Sequence, residues 1–181
     1  MKRIWFPTRR LLIASTLLFC AAGARAQSPS GQKIDPAWLR ADTVKHSAEF
    51  RLVAGLTDHN GGMNFNGFGK GGLLLTVPKG WSVVLHFKNQ DPNLPHSVEV
   101  IADTDPVPAG PVPPAFEHAA TRQVEQGFSA GRGDDVRFVA AKAGSYLIFC
   151  AVPGHGPAGM WIRLAVSATA VKPALSAAPE R

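Results

Sequence analysis

The sequence is poor in cysteine. It holds two among its 181 residues, Cys20 and Cys150, and Cys20 lies in an N-terminal segment that has the pattern of an export leader. An exported chain would keep one thiol, which excludes an internal disulfide and an iron–sulfur cluster, since the latter needs several thiolates. A lone thiol in an oxidising compartment is a liability unless something occupies it. The alternative is a buried, inert cysteine that packs as a small hydrophobe.

Residues 1–26 form the predicted signal peptide. The pairs Lys2-Arg3 and Arg9-Arg10 precede a 12-residue apolar run over 11–22, and Ala24-Arg25-Ala26 supplies the small residues of a cleavage site. The run is shorter than the roughly 20 residues of a membrane span. We therefore expect an exported protein, periplasmic or extracytoplasmic. An uncleaved leader that acts as an anchor is the alternative, and the paired arginines leave open whether export uses the general or the twin-arginine route.

The remaining chain has little net charge. The leader carries five of the 19 basic residues and none of the 13 acidic ones, which leaves 14 basic against 13 acidic residues. The concentrated basic surface that nucleic-acid binding requires is therefore missing. We expect no nucleic-acid partner, and membrane contact only through partner proteins or an uncleaved leader.

Long amphipathic helices and internal repeats are also missing. Residues 27–46 are interpreted as an N-terminal extension with one helical turn, which starts at Asp35-Pro36. Residues 47–167 contain short apolar segments bounded by turn residues and are interpreted as one domain. Residues 168–181 are rich in Ala, Ser and Pro and are predicted to be a disordered tail.

The apolar segments of the domain have the period of β-strands. Trp81, Val83, Leu85 and Phe87 fall on one face of their segment, as in a strand with one buried side. Seven strands are predicted, over 49–56, 72–77, 81–88, 96–102, 135–140, 144–150 and 160–166. Seven short strands without long helices indicate an all-β sandwich or barrel.

The segment from Cys150 to Met160 carries the chemistry. Cys150 ends an apolar strand, His155 lies in a loop of Pro, Gly and Ala, and Met160 opens the next apolar strand, which gives the pattern Cys-x4-His-x4-Met. Such a loop brings a thiolate, an imidazole and a thioether around one point without long polar side chains between them. A second imidazole is available from His96, at the start of another predicted strand.

These ligand types select the metal. One thiolate, two imidazoles and a weak axial thioether describe a mononuclear type 1 (blue) copper site. Structural zinc prefers four strong Cys and His ligands, and the sequence has no His-x-His pair for the trinuclear cluster of a multicopper oxidase. We therefore predict His96, Cys150, His155 and Met160 as the metal ligands, with the backbone N–H of Ser97 as a hydrogen-bond donor to the sulfur.

The chain resembles the cupredoxins, and among them it is similar to the sulfocyanins. The resemblance covers about residues 47–167. It rests on four motifs, which are Asn64-Phe65-Asn66-Gly67, Pro78-Lys79-Gly80-Trp81, Leu94-Pro95-His96-Ser97 and the segment 150–161. The Cys-x4-His-x4-Met spacing is also found in rusticyanin, whereas plastocyanin and azurin use other spacings. Met63 stands where sulfocyanins usually have an aromatic residue, a difference outside the predicted ligand set.

The resemblance implies a Greek-key β-sandwich, one type 1 copper ion and transfer of single electrons rather than enzymatic catalysis. It also implies redox partner proteins such as c-type cytochromes or a terminal oxidase, and we expect a monomer. Two other functions stay open. A periplasmic copper chaperone or scavenger would favour exposed clusters of Met and His, and a reductase would need an open metal position in place of Met160.

Overall fold

A computed structural model describes Met1 and residues 31–181. The predicted signal peptide, apart from Met1, lies outside the described residues. No helix in the described part of the chain is long and apolar enough to cross a membrane. A short 3-10 turn over Pro36–Trp38, capped by the Asp35 side chain as predicted, leads into the first strand. The strands are β1 (Leu39–Asp42), β2 (Ser47–Ala54), β3 (Leu73–Pro78), β4 (Ser82–Asn89), β5 (Glu99–Ala102), β6 (Gly133–Val139), β7 (Gly144–Phe149), β8 (Trp161–Ser167) and β9 (Ala174–Ala177).

The strands form two mixed sheets. One has the order β1-β2-β4-β6 and the other the order β5-β7-β8-β3-β9. The pairs β2–β4 and β3–β8 are parallel, and the other neighbouring strands are antiparallel. The predicted all-β Greek-key sandwich is confirmed, with a core between the two sheets.

The alternation of residue types decides which side chains fill that core. In β4, Val83, Leu85 and Phe87 are buried while Ser82 and Lys88 are exposed, because successive side chains of a strand point to opposite faces. The same rule places the large side chains of the other strands between the sheets. The strand β7, which leads to the predicted metal loop, is different, since its last four residues are all buried.

The outer face of β7 is buried under a second apolar cluster. Leu147 and Phe149 pack there with Ile101 and Trp161, and they are covered by valines of the proline-rich segment 105–114 and by Val124. Both faces of β7 are therefore shielded from water as the strand approaches Cys150.

All seven predicted strands are present, with shifted ends, but β1 and β9 were not predicted. The strand predicted over 96–102 begins only at Glu99. The reason is local: the Ser97 N–H donates to the Cys150 sulfur instead of to a neighbouring strand, and His96 forms an isolated bridge with Phe128.

The prediction of a disordered tail over 168–181 is wrong. Ala174–Ala177 form β9, which pairs antiparallel with the open edge of β3. The guanidinium of Arg181 lies 4.8 Å from the centroid of the Trp161 ring and 2.7 Å from Asp103 Oδ1. Composition alone suggested disorder, whereas an unpaired strand edge supplies hydrogen bonds that composition does not reveal. Similarly, β1 brings part of the 27–46 extension into the sandwich.

Candidate metal centre

Three of the four predicted ligands meet at one point. The Cys150 sulfur lies 3.5 Å from His155 Nδ1 and 3.8 Å from His96 Nδ1, and the two Nδ1 atoms are 3.2 Å apart. A point equidistant from these three atoms is about 2 Å from each, close to ordinary metal–imidazole bond lengths. Within the described residues, these three side chains form the group that is able to hold a metal ion. The donor triangle therefore fits one ion without rearrangement.

The loop between β7 and β8 is closed by its own backbone. The Cys150 N–H donates to Met160 O (3.0 Å), the Met160 N–H donates to His155 O (3.0 Å), and the His155 N–H donates to Val152 O (3.1 Å). Met160 is fully buried at the end of this loop. The backbone thus fixes the fourth predicted ligand beside the other two residues of the loop.

The sulfur of Cys150 is held by Ser97, which lies just before β5, the neighbour of β7 in the sheet. The Ser97 N–H lies 3.3 Å from the sulfur, as predicted, and the Ser97 hydroxyl lies 3.8 Å from it. The same hydroxyl accepts a hydrogen bond from the Ala151 N–H at 3.2 Å. Ser97 therefore ties the segment that carries His96 to the strand that carries Cys150.

His96 is fixed by a residue that sequence reasoning missed. Its ring is fully buried, and its Nε2 lies 3.1 Å from Oδ2 of Asp91, a carboxylate that is also buried. The two backbone hydrogen bonds with Phe128, at 3.1 Å and 2.7 Å, hold the main chain of His96. The sequence signal at this point was a turn at Asp91-Pro92-Asn93, which gives no indication of where the carboxylate points.

Two further segments hold the metal loop in place and were also missed. Asn60 Nδ2 donates to Ala158 O at 2.9 Å, and the Lys70 N–H donates to Gly159 O at 2.8 Å. On the other side, the Gly154 N–H donates to Ala109 O of the proline-rich segment at 2.8 Å. The loop is therefore clamped between two irregular segments that are distant in sequence.

Burial keeps the donor groups neutral in the metal-free protein. It raises the pKa of the Cys150 thiol, against the opposing effect of the Ser97 and Val152 N–H groups. Burial lowers the pKa of His96, opposed by Asp91, and it lowers the pKa of His155, where the charge of His96 adds to the effect. The pKa of Asp91 is raised by burial, but hydrogen bonds from Asn93, His96 and Leu94 bring it below its ordinary value. A metal that binds here must displace the thiol proton.

The other four histidines do not join the donor group. We expected His46, His59 and His118 to be solvated, and His86 to be exposed on the polar face of its strand. His46 and His118 are exposed, and the His86 side chain is 39% exposed, between Asp135 and Glu49. His59 differs from the expectation, since it is partly buried with its Nε2 3.3 Å from Glu180 Oε1.

Comparisons with known proteins show which family the chain belongs to. The sequence profile described as the sulfocyanin (SoxE) domain matches residues 42–176. A sulfocyanin of Sulfolobus acidocaldarius is 30% identical over 117 residues, which are 61% of this chain and 58% of that protein. The chain therefore spans less than two thirds of the length of this relative.

A solved structure of rusticyanin shows the same fold. A crystal structure of rusticyanin variants aligns with a TM-score of 0.53 and 22% identity, and the match covers 67% of this chain and 78% of the other. An auracyanin from Roseiflexus castenholzii aligns with a TM-score of 0.49 and 22% identity over 71% of this chain and 99% of the other.

Proposed function

Because the chain belongs to the sulfocyanin family of cupredoxins, which are electron-transfer proteins and not enzymes, we propose that it carries single electrons between redox partner proteins. The cofactor of the family, and of this chain, is one type 1 copper ion, which supplies a one-electron couple between Cu(I) and Cu(II). The observation that carries the proposal is the triangle of two imidazole nitrogens and one thiol sulfur, in which His96 and Cys150 are buried and His155 is half-buried.

The proposed ligands have different tasks. Cys150 would supply a thiolate, His96 and His155 would supply two imidazole nitrogens, and Met160 would supply a weakly binding thioether sulfur. Full burial of His96, Cys150 and Met160 keeps water away from the donor atoms. Because the backbone, Ser97 and Asp91 already hold these groups, little has to move when the charge of the site changes, and this favours rapid electron exchange.

The proposed exchange face is the surface of the metal loop around His155. His155 is half-buried, and Pro153, Gly154 and Pro157 beside it are exposed. From the sequence we expected Val152 and Gly156 in this rim as well, but both are buried and support it from below. An apolar rim suits small, short-lived electron-transfer contacts, and we propose a c-type cytochrome or a terminal oxidase as the partner.

Export to the periplasm or another extracytoplasmic space, with residues 1–26 as signal peptide, remains part of the proposal. It is supported by the leader pattern of the sequence. A copper chaperone is disfavoured because its sulfur ligands have to be exchangeable, whereas Met160 is fully buried and Met63 packs against the core.

Visible and EPR spectra of the purified protein with added copper test the proposal. We expect an intense thiolate-to-copper band, which the Cys150→Ser and His96→Ala variants lose. The matched control is His118→Ala, since His118 is an exposed histidine that does not belong to the donor group. A colourless copper complex, or a band that persists in Cys150→Ser, would refute the proposed site.

A further inference from the structure

We infer that Asp91 is a positioning residue for His96: its buried carboxylate holds the Nε2 side of the imidazole, directs Nδ1 to the metal, and favours the oxidised state of the site. This inference rests on the proposed function, because it concerns the copper that the donor triangle would bind. It differs from the ligand assignment, since Asp91 would act through His96 without touching the metal.

The geometry leaves the two ring nitrogens of His96 with separate tasks. Nε2 lies 3.1 Å from Asp91 Oδ2, while Nδ1 lies 3.2 Å from His155 Nδ1 and 3.8 Å from the Cys150 sulfur. A carboxylate accepts hydrogen bonds and does not donate them, so the proton of a neutral ring belongs on Nε2. Nδ1 is then left with a free lone pair that faces the donor triangle. A carboxylate on the outer ring nitrogen also makes the ligating nitrogen more basic.

The carboxylate itself is held in one orientation. Its Oδ1 accepts hydrogen bonds from the N–H groups of Asn93 at 2.8 Å and Leu94 at 3.1 Å. The backbone N–H of Asp91 donates to Asn89 Oδ1 at 2.8 Å. Both carboxylate oxygens therefore have defined partners. The connection runs from the end of β4, through Asp91, to the ring of His96.

Two glycines leave room for this carboxylate. A Cβ placed on Gly62 would lie 2.6 Å from Asp91 Oδ2, and one placed on Gly55 would lie 2.6 Å from Asp91 Cβ. Both glycines have positive φ, at 85° and 63°. The backbone of the segment after β2 thus approaches Asp91 closely, and a side chain at either glycine would crowd its contact with His96.

The charge of Asp91 is compensated by the site itself. Among residues 31–181 no lysine or arginine forms an ion pair with Asp91, whose side-chain partner is the imidazole of His96. With the Cys150 thiolate, Asp91 balances the two positive charges of Cu(II), whereas one negative charge is left over with Cu(I). A buried negative charge without a counterion is costly, so Asp91 should favour Cu(II). Its effect on the balance between Cu(II) and Cu(I) is therefore opposite to the effect of the apolar side chains around the site, which favour Cu(I).

The substitution Asp91→Asn separates this role from a purely structural one. The amide oxygen of the new side chain would still accept from the two N–H groups of the turn, but its amide nitrogen cannot accept from His96 Nε2. The variant therefore keeps the turn and removes the charge and the acceptor. The matched control is Asp134→Asn: the Asp134 side chain is 10% exposed against 6% for Asp91, but its partner is Arg122.

We expect Asp91→Asn to lower the affinity for Cu(II) by about ten- to a hundredfold, the usual effect of losing such an outer partner, and to lower the affinity for Cu(I) less. Each tenfold change in the ratio of the two affinities raises the reduction potential by about 59 mV. Competition with chelators and voltammetry measure the two quantities. The Asp134→Asn control should leave both unchanged.

A second measurement uses the metal-free wild-type protein and requires no variant. Nitrogen-15 NMR of the histidine side chains should show the His96 proton on Nε2, and in Asp91→Asn the proton should spread over both ring nitrogens. The inference is overturned by a wild-type His96 that carries its proton on Nδ1, by an unchanged potential in Asp91→Asn, or by an equal change in Asp134→Asn. Absence of the blue copper spectrum from the wild type would instead refute the proposed function, while the NMR result would still test the contact.

Discussion

The buried carboxyl group of Glu99 should make the stability of this protein fall between pH 4.5 and pH 7. Glu99 opens β5 opposite Phe149 in β7, it is 1% exposed, and its Oε2 accepts one hydrogen bond, from the Val112 N–H at 3.3 Å. Burial raises its pKa from 4.5 to about 7, and the Val112 N–H opposes this only partly. The carboxyl group therefore prefers to stay protonated in the folded protein.

The sign and size of the effect follow from this pKa. Below pH 4.5 Glu99 is protonated in both the folded and the unfolded chain, so its full contribution to stability is present. As the pH rises from 4.5 to about 7, the unfolded chain loses the proton while the folded chain keeps it, and that contribution is lost. The interval between the two pKa values, at 1.36 kcal/mol for each unit, corresponds to about 3 kcal/mol.

The substitution Glu99→Gln removes the ionisation and keeps an oxygen that is able to accept from Val112. We expect its free energy of unfolding to equal that of the wild type at pH 4 and to exceed it by about 3 kcal/mol at pH 8. Urea denaturation of the metal-free proteins over this pH range measures the difference. Glu117→Gln is the control, because the Glu117 side chain is 88% exposed, and its curve should stay parallel to that of the wild type.

Two results would refute this reasoning. Wild-type and Glu99→Gln curves that run parallel from pH 4 to pH 8 would mean that Glu99 ionises equally easily in both states. If Glu99→Gln already exceeded the wild type by the full amount of about 3 kcal/mol at pH 4, its higher free energy of unfolding would come from packing rather than from ionisation.

Three further predictions follow from the metal loop and its supports. Met160→Leu should keep copper and colour but raise the reduction potential in voltammetry, because loss of a weak axial donor destabilises Cu(II) more than Cu(I); loss of all copper would contradict the axial role. Ala158→Glu should slow reduction by a small c-type cytochrome in stopped-flow experiments, whereas Ala143→Glu, in the turn before β7 at the far end of that strand, should not; equal rates would place the docking face elsewhere. Asn66→Ala should cost about 3 kcal/mol in urea denaturation, because a buried amide that bonds the Val53 N–H and Arg51 O is lost; the exposed Asn93→Ala is the control, and similar stability of the two variants would contradict this role.

The local sequence was sufficient to predict most of the strands and to propose the ligands of the loop. Cys150, His155 and Met160 lie within 11 residues of one another, so their spacing restricts where their side chains meet. Alternation along β4 predicted its buried face, because side-chain direction in a strand depends only on position along it. The Ser97 contact to the sulfur was also predictable, since it follows from the residue being next to His96.

Pairing partners and buried polar contacts were decided only by the tertiary structure. The edge strand β9 forms because β3 offers it a free row of hydrogen-bonding groups, and no pattern in 174–177 reveals that edge. The Asp91-Pro92-Asn93 turn was visible in the sequence, but its contact with His96 was not. That contact depends on the distant segment with Gly55 and Gly62, which packs against Asp91. Local sequence determines which side chains a strand or turn presents, whereas contacts between distant segments depend on how the complete chain packs.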